Sequence, residues 1–261
     1  MKLSFMTFLY PHLGYEALIK KALQFGYQGL EWRAEAKHNH GVELESSPAT
    51  IQAVRRAMAE AGLETSCLAT SIKFASENRA EREANLERLY RFLDLAVAVG
   101  APRIRFFADP IPNGGRGQRA ASYAYQAEYI ARACERAAQA GVKLCLETHS
   151  VLRAYDAGEL LFRTGYPAAF WINWHLAHCL NHGEDVDEAY RHVKGRVAHA
   201  HFSMSPEIER QMELLAMENF SGFFSLELMP KEPEEAVDRL VAEQAAGWWG
   251  LYRKLGLDSG N

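Results

Sequence analysis

VKLCLE (142–147), FWINWH (170–175), RVAHAH (196–201) and FFSLE (223–227) are four short apolar runs. Each closes on a residue able to bind a metal ion: Glu147, His175, His201 and Glu227. These residues lie 28, 26 and 26 positions apart, close to one strand-plus-helix repeat. If each run is a parallel strand of one barrel, the four side chains meet at the rim where the strands end. That rim is where barrels of this kind carry their active sites. Two carboxylates and two imidazoles converging there make a seat for one divalent ion.

The rest of the chain follows the same grammar. Helical segments end in glycine and an apolar run begins one to three residues later, at Gly26, Gly62, Gly100, Gly141 and Gly165. Glycine just past a helix takes the left-handed conformation that satisfies the last carbonyls. The runs that follow (QGLEW, ETSCLA, RIRFF, VKLCLE, AFWINW) are rich in β-branched, aromatic and aliphatic residues. Segments 81–99 and 120–140 between them carry apolar residues at helical spacing. Strands are expected near 3–8, 28–32, 64–70, 103–107, 142–147, 169–174, 196–201 and 223–228, with eight helices, the last near 233–255. This alternation predicts an α/β fold, a (β/α)8 TIM barrel, over 1–261 as one domain. The rival is an open doubly wound sheet, but FLYPHLGY follows the first strand where a glycine-rich phosphate loop would stand. Segments 34–47 and 108–119 are polar loops on the strand-end side, where substrate-binding segments belong.

Composition agrees. The length of 261 residues suits such a barrel, and 48% apolar content fills a large core. The net charge of −4 is dispersed, so nothing draws the chain to nucleic acid, and a small molecule is the expected partner. Cys67, Cys134, Cys145 and Cys179 form no CxxC pair; thiols inside strands point to a reducing, cytoplasmic setting. The start, MKLSFMTFLYPH, lacks a cleavage site and reads as a first strand, and no run is long enough to span a membrane. Trp248, Trp249 and Tyr252 look exposed in the final helix, which would suit a homodimer.

Around the four-residue set stand candidates for substrate contact. His149 lies two positions past Glu147 and shares its direction if the strand persists. Arg33 ends the second strand and suits a hydroxyl or phosphate. Arg105 lies inside the fourth strand, where an inward Arg pairs with a carboxylate such as Glu147 or Glu31. Trp174 and Phe107, near the rim, suit either a sugar's C–H face or the core, whereas His38 and His40 sit in a polar loop and are expected to be solvated.

The sequence resembles the xylose isomerase-like barrel superfamily of sugar and sugar-phosphate isomerases and epimerases, from KLSF to the last helix. GYQGLEWR (26–33) and AGLETSCLAT (61–70) resemble its second and third strand segments. CLETH (145–149) resembles the fifth, whose Glu binds metal, and NWHLAH (173–178) the sixth, an acid followed three residues later by His. HAHFS (199–203) resembles the seventh, with its His ligand, and FFSLEL (223–228) the eighth, with the closing Glu. The resemblance implies metal ligation by Glu147, His175, His201 and Glu227, and a substrate or metal-orienting role for His178. Two departures stand out. His175 replaces the usual Asp, which favours Zn²⁺, Mn²⁺ or Co²⁺ over Mg²⁺. HFSMSPEIER runs almost at once into a helix where the family has a long loop.

These residues imply a metal-dependent isomerase or epimerase of a sugar or related polyol, phosphorylated or not, with Glu147 and Glu227 as the proton carriers beside a metal-polarised carbonyl. The alternatives are a metal-assisted dehydratase of a polyol or keto acid and a non-catalytic carbohydrate-binding barrel. A hydrolase resembling endonuclease IV needs more rim ligands and a basic surface than this chain offers.

Overall fold

A computed structural model describes residues 1–112, 115–229 and 232–258. Eight parallel strands close into a barrel in sequence order, the last pairing with the first. The order is β1 (Lys2–Met6), α1 (Tyr15–Gln24), β2 (Gly29–Arg33), α2 (Pro48–Glu60), β3 (Glu64–Lys73), α3 (Arg79–Val99), β4 (Arg103–Phe107), α4 (Arg116–Ala140) and β5 (Lys143–Glu147). Then come α5 (Ala154–Arg163), β6 (Phe170–Asn173), α6 (Leu176–Asn181), α7 (Val186–Val193), β7 (Val197–Phe202), α8 (Ile208–Ala216), β8 (Phe223–Leu226) and α9 (Glu234–Lys254).

The expected eight helices become nine among the described residues, because two fill the crossover from β6 to β7. The first of them, α6, has six residues, fewer than two turns, and is too short to show a period in sequence. The five glycine stops take the left-handed conformation, with φ between 68° and 82°. At the other end of a helix, Ser47 caps α2 by accepting from Thr50 N at 3.1 Å, with Pro48 at the first helical position. Loop 34–47 is irregular as expected. The expected loop 108–119 gives way to α4 at Arg116, and its residues 113 and 114 lie outside the described set.

Apolar side chains between barrel and helices form one buried layer. Trp248 is fully buried there, stacks on Tyr252, and meets Trp249 edge to face; Trp249 and Tyr252 are half-buried against the same layer, so of the three aromatics expected to be exposed Trp248 belongs to the core. Inside the barrel the filling is unusually polar, with Glu31, Arg105, Glu147, Asn173, His199 and His201 all buried. Three register shifts serve this interior: at Leu30/Glu31 against β3, between Ala69 and Lys73 against β4, and at Ile172/Asn173 against β7. Such irregularities re-aim side chains beside active sites. The second frees the Thr70 carbonyl to accept from Arg105 Nη1 at 2.6 Å and sets Ser71 beside Arg33.

Candidate metal centre

Glu147 ends β5, and His201 is the penultimate residue of β7. Glu227 follows β8 by one residue, held by its amide on the Phe202 carbonyl at 3.0 Å. His175 lies two residues beyond β6, at the N-terminus of α6. Its backbone is tied to β5 twice through one hydroxyl: its amide donates to Thr148 Oγ1 at 2.9 Å, and that hydroxyl donates to its carbonyl at 3.2 Å. All four side chains converge, each offering one ligand atom within 4.8 Å of the others. Glu147 Oε1 lies 3.2 Å from both His175 Nδ1 and His201 Nδ1. Glu227 Oε2 lies 3.1 Å and 2.7 Å from the same two nitrogens. Atoms bound tetrahedrally to one Zn²⁺ at about 2.0–2.2 Å stand about 3.3–3.6 Å apart, so these four contacts, somewhat tighter, need to open by only a few tenths of an ångström to about half an ångström to receive a single divalent ion. Glu227 Oε2 is also buried with no aligned hydrogen bond, as expected of a ligand oxygen aimed at a common centre.

A carboxylate lies behind this set. Glu31, fully buried on β2, receives His201 Nε2 at 3.1 Å and His199 Nε2 at 2.9 Å. With its Nε2–H donated to Glu31, His201 turns the Nδ1 lone pair toward the seat, the carboxylate–histidine arrangement that orients metal ligands. Sequence reasoning considered Glu31 only as a partner for Arg105 and assigned no role to His199. The available signal was spacing, since His199 precedes His201 by two residues and a strand points both the same way. Arg105 instead pairs with Glu147, Nε to Oε2 at 3.0 Å, as one of its two expected partners.

The electrostatics follow from this crowding. Burial alone would lower the His201 pKa, but Glu31, Glu227 and Glu147 overcome it and hold it well above the usual value. His175 is raised in the same way against burial, by Glu147 and Glu227. Burial would raise Glu31 and Glu227, yet the imidazoles hold both well below the ordinary carboxylate range. Glu147 is pushed up by burial and by Glu227, and His201 and Arg105 outweigh both to keep it low. Carboxylates and imidazoles drawn this close need positive charge among them, from protons on the rings or from a metal ion that displaces those protons.

The remaining candidates divide. Arg33, Arg105 and His149 line a cavity of about 370 Å³ that reaches Glu227, walled otherwise by Met6, Phe8, Ala36, His38, Phe107 and Met229. His149 packs on Phe107 with ring centroids 4.3 Å apart and has Asp109 Oδ1 at 3.1 Å. His178 packs edge-on against His175 at 4.2 Å, and burial, then His175, pushes its pKa down to about 4. Trp174 is placed elsewhere: it lies just past β6, is fully buried and stacks on Tyr190 of α7, outside the barrel. His40 is not solvated; it is buried, and its Nε2 donates to the Arg33 carbonyl at 2.9 Å. Two further groups carry ligand-type atoms, Glu31–Cys67–His199 and Glu147–His149–His178. In the first, the Glu31 oxygens are engaged by the two imidazoles, and in the second Arg105 occupies Glu147 Oε2.

A closed eight-stranded barrel with a Glu–His–His–Glu seat at its C-terminal rim defines a class in which loops and strand ends carry the chemistry. The family model described as the xylose isomerase-like TIM barrel matches residues 19–246, and the chain belongs to that family. Among solved structures it resembles a D-psicose 3-epimerase determined with D-fructose (TM-score 0.79, 17% identity, covering 98% of this chain and 99% of that one). It also resembles an L-ribulose 3-epimerase (0.79, 17%, 100% and 98%) and the probable 3-DHS dehydratase AsbF of Bacillus anthracis (0.73, 16%, 94% and 98%). At these identities the likeness speaks for the fold. No curated protein sequence matches the chain.

Proposed function

We propose that this protein is a divalent-metal-dependent isomerase or epimerase of a sugar or related polyol, which moves a proton on the carbon beside a carbonyl. The observation that carries this reading is the convergence of Glu147, His175, His201 and Glu227, the last of which lines a cavity wide enough for a small substrate. A divalent ion held by these four residues supplies Lewis acidity toward a substrate carbonyl. The two imidazoles favour Zn²⁺, Mn²⁺ or Co²⁺ over Mg²⁺.

The chain's own groups do the rest. Glu147 and Glu227 reach the seat from β5 and β8, so one takes the proton and the other returns one. Arg105 fixes the outer oxygen of Glu147, and Glu31 fixes His201. Met6, Phe8 and Phe107 supply an apolar wall that limits water at the reacting carbon. His149 lines the cavity with its ring 5.1 Å from that of His178, and would take a substrate hydroxyl there.

The test begins with metal content of the purified protein and anomalous scattering at the rim, where one ion per chain is expected. Proton exchange can be followed whatever the product, so a panel of ketoses and hydroxy keto acids in D₂O, monitored by NMR, reports turnover directly. Glu147→Gln or Glu227→Gln should lower exchange or turnover by roughly 10² at saturating metal. A protein that binds no ion at the rim, or Gln variants with full turnover, would overturn the reading.

A further inference from the structure

The opposite end of the barrel, where the strands begin, holds a second cavity of about 250 Å³. Arg103 and Lys143 open β4 and β5 and line it together with Trp171 of β6. The two cations are register partners, so their side chains leave the sheet on the same face. Neither is ion-paired with a carboxylate among the described residues. Arg103 donates Nη1 to the Ser66 carbonyl at 3.2 Å, and its buried Nε has no hydrogen-bond partner. Lys143 lies on the Trp171 ring, its Nζ 4.0 Å from the centroid. Burial, then the Arg103 guanidinium, pushes the Lys143 amine below its ordinary value, and the opposing pull comes from the Cys145 thiol. Arg196 stands 5.7 Å from the same indole and donates to the carbonyls of Tyr166, Pro167 and Phe170.

The acids nearby are committed. Glu64 is paired with Lys2, and Glu218, on the cavity wall, accepts from the Gly195 amide with both oxygens, at 2.9 and 3.0 Å. One acid against two cations leaves surplus positive charge in the cavity. Aromatic faces offset part of it, and a half-buried charge without a counter-ion stays costly unless a ligand supplies one. The cavity is also rigid. A Cβ on Gly222 would stand 2.3 Å from the Ala198 carbonyl oxygen, so the loop before β8 rests directly on β7. That loop turns at Asn219, with φ of 55°, and brings Asn219 and Ser221 to the wall as neutral hydrogen-bonding groups. A preformed site loses little to ordering when it binds.

The geometry points to a second ligand site at the base of the barrel, for a small oxyanion, phosphate or carboxylate, held between Arg103 and Lys143. Arg103 offers a planar fork with an unused N–H, and Lys143 a movable point charge. Two cations favour a dianion over a monoanion, so phosphate is the expected ligand. The site uses none of the metal-centre residues and does not rest on the function proposed above.

NMR of ¹⁵N-labelled full-length protein, titrated with inorganic phosphate or acetate at constant ionic strength, tests the site. The Trp171 indole and the Gly195 and Gly222 amides should shift together, with a Kd for phosphate on the order of 1 mM, which two charge-assisted hydrogen bonds allow. Acetate should bind more weakly; tighter binding of acetate would identify the ligand as a carboxylate. Arg103→Gln and Lys143→Gln should each weaken phosphate about tenfold or more. Lys143→Met, which keeps the stem on Trp171, gives the same reading if Arg103→Gln does not fold. Glu218→Gln, still able to accept from Gly195, should tighten phosphate by removing a like charge. Shifts confined to the strand-end rim, or base shifts that survive loss of either cation, overturn the inference. So does the absence of any base shift up to about 20 mM phosphate.

Discussion

The two ends of the barrel are held by different forces. At the C-terminal rim, carboxylates, imidazoles and guanidinia crowd within ion-pair distance, and backbone irregularities aim them at one point. At the base, fit dominates. A Cβ on Gly29 would stand 2.7 Å from the Glu64 carbonyl oxygen and 2.8 Å from the Phe223 ring, so only glycine lets β2 enter there. Cations at the base lie on aromatic faces, with Lys143 Nζ 4.0 Å from the Trp171 centroid and Lys2 Nζ 5.7 Å from that of Phe223. The base, with an exposed Lys2–Glu64 ion pair at its edge, therefore answers mainly to volume and the rim to charge. A substitution that changes one should leave the other nearly untouched.

Gly29→Ala tests the base and should have the largest effect. Backbone cannot yield as a side chain can, so the cost should reach the upper part of the roughly 1–3 kcal/mol range for overpacking. Metal affinity of the folded fraction should hold; a loss of affinity larger than the loss of stability would show that the ends are coupled. Glu31→Gln tests the rim with almost no change in volume. It removes the charge that both imidazoles address, so metal affinity should fall by about 10- to 100-fold, and the metal-free protein should lose stability as well because a buried ion pair loses one partner. Chelator competition measures the affinity, and ¹⁵N chemical shifts report the His201 tautomer; if neither moves, Glu31 does not orient the ring.

The smallest effect is a slope in pH. His201 and His175 have folded pKa values raised above the ordinary 6.5, so their contribution is complete below 6.5 and is lost as the pH climbs through the raised values. Glu31, Glu147 and Glu227 are lowered from 4.5, so theirs is complete above 4.5 and is lost as the pH falls. Burial lowers His178 and His40 to about 4, so their contribution is lost as the pH falls below 6.5; metal-free protein should thus be most stable near 6.5 and weaken on the alkaline side through His201 and His175. Zn²⁺, which takes neutral imidazole, should abolish that alkaline decline. Urea unfolding with chelator and with metal compares the two; a level alkaline limb without metal would count against charged imidazoles at the rim.

What could be read from the sequence was whatever repeats. The glycine stops and apolar runs located the strands, because helix termination and strand burial leave local marks. The convergence of Glu147, His175, His201 and Glu227 followed from even spacing. Glu31 was hidden because its partner His199 is 168 positions away, and proximity across a barrel leaves no trace in local pattern. Trp174 was ambiguous for the opposite reason. A register shift at Asn173 and the turn into α6 decide which way each neighbour points, and residue type says nothing of that. His40 looked like a surface residue because its loop is polar; its burial comes from a fold-back onto the Arg33 carbonyl.

The Thr148 hydroxyl that grips both the amide and the carbonyl of His175 has an evolutionary consequence. The backbone at this corner is anchored by a neighbour and owes nothing to the side chain it displays. The letter at position 175 can therefore be rewritten while its address stays fixed. A lineage could exchange acid for imidazole there, and with it the preferred ion, in a single mutational step without rebuilding the loop.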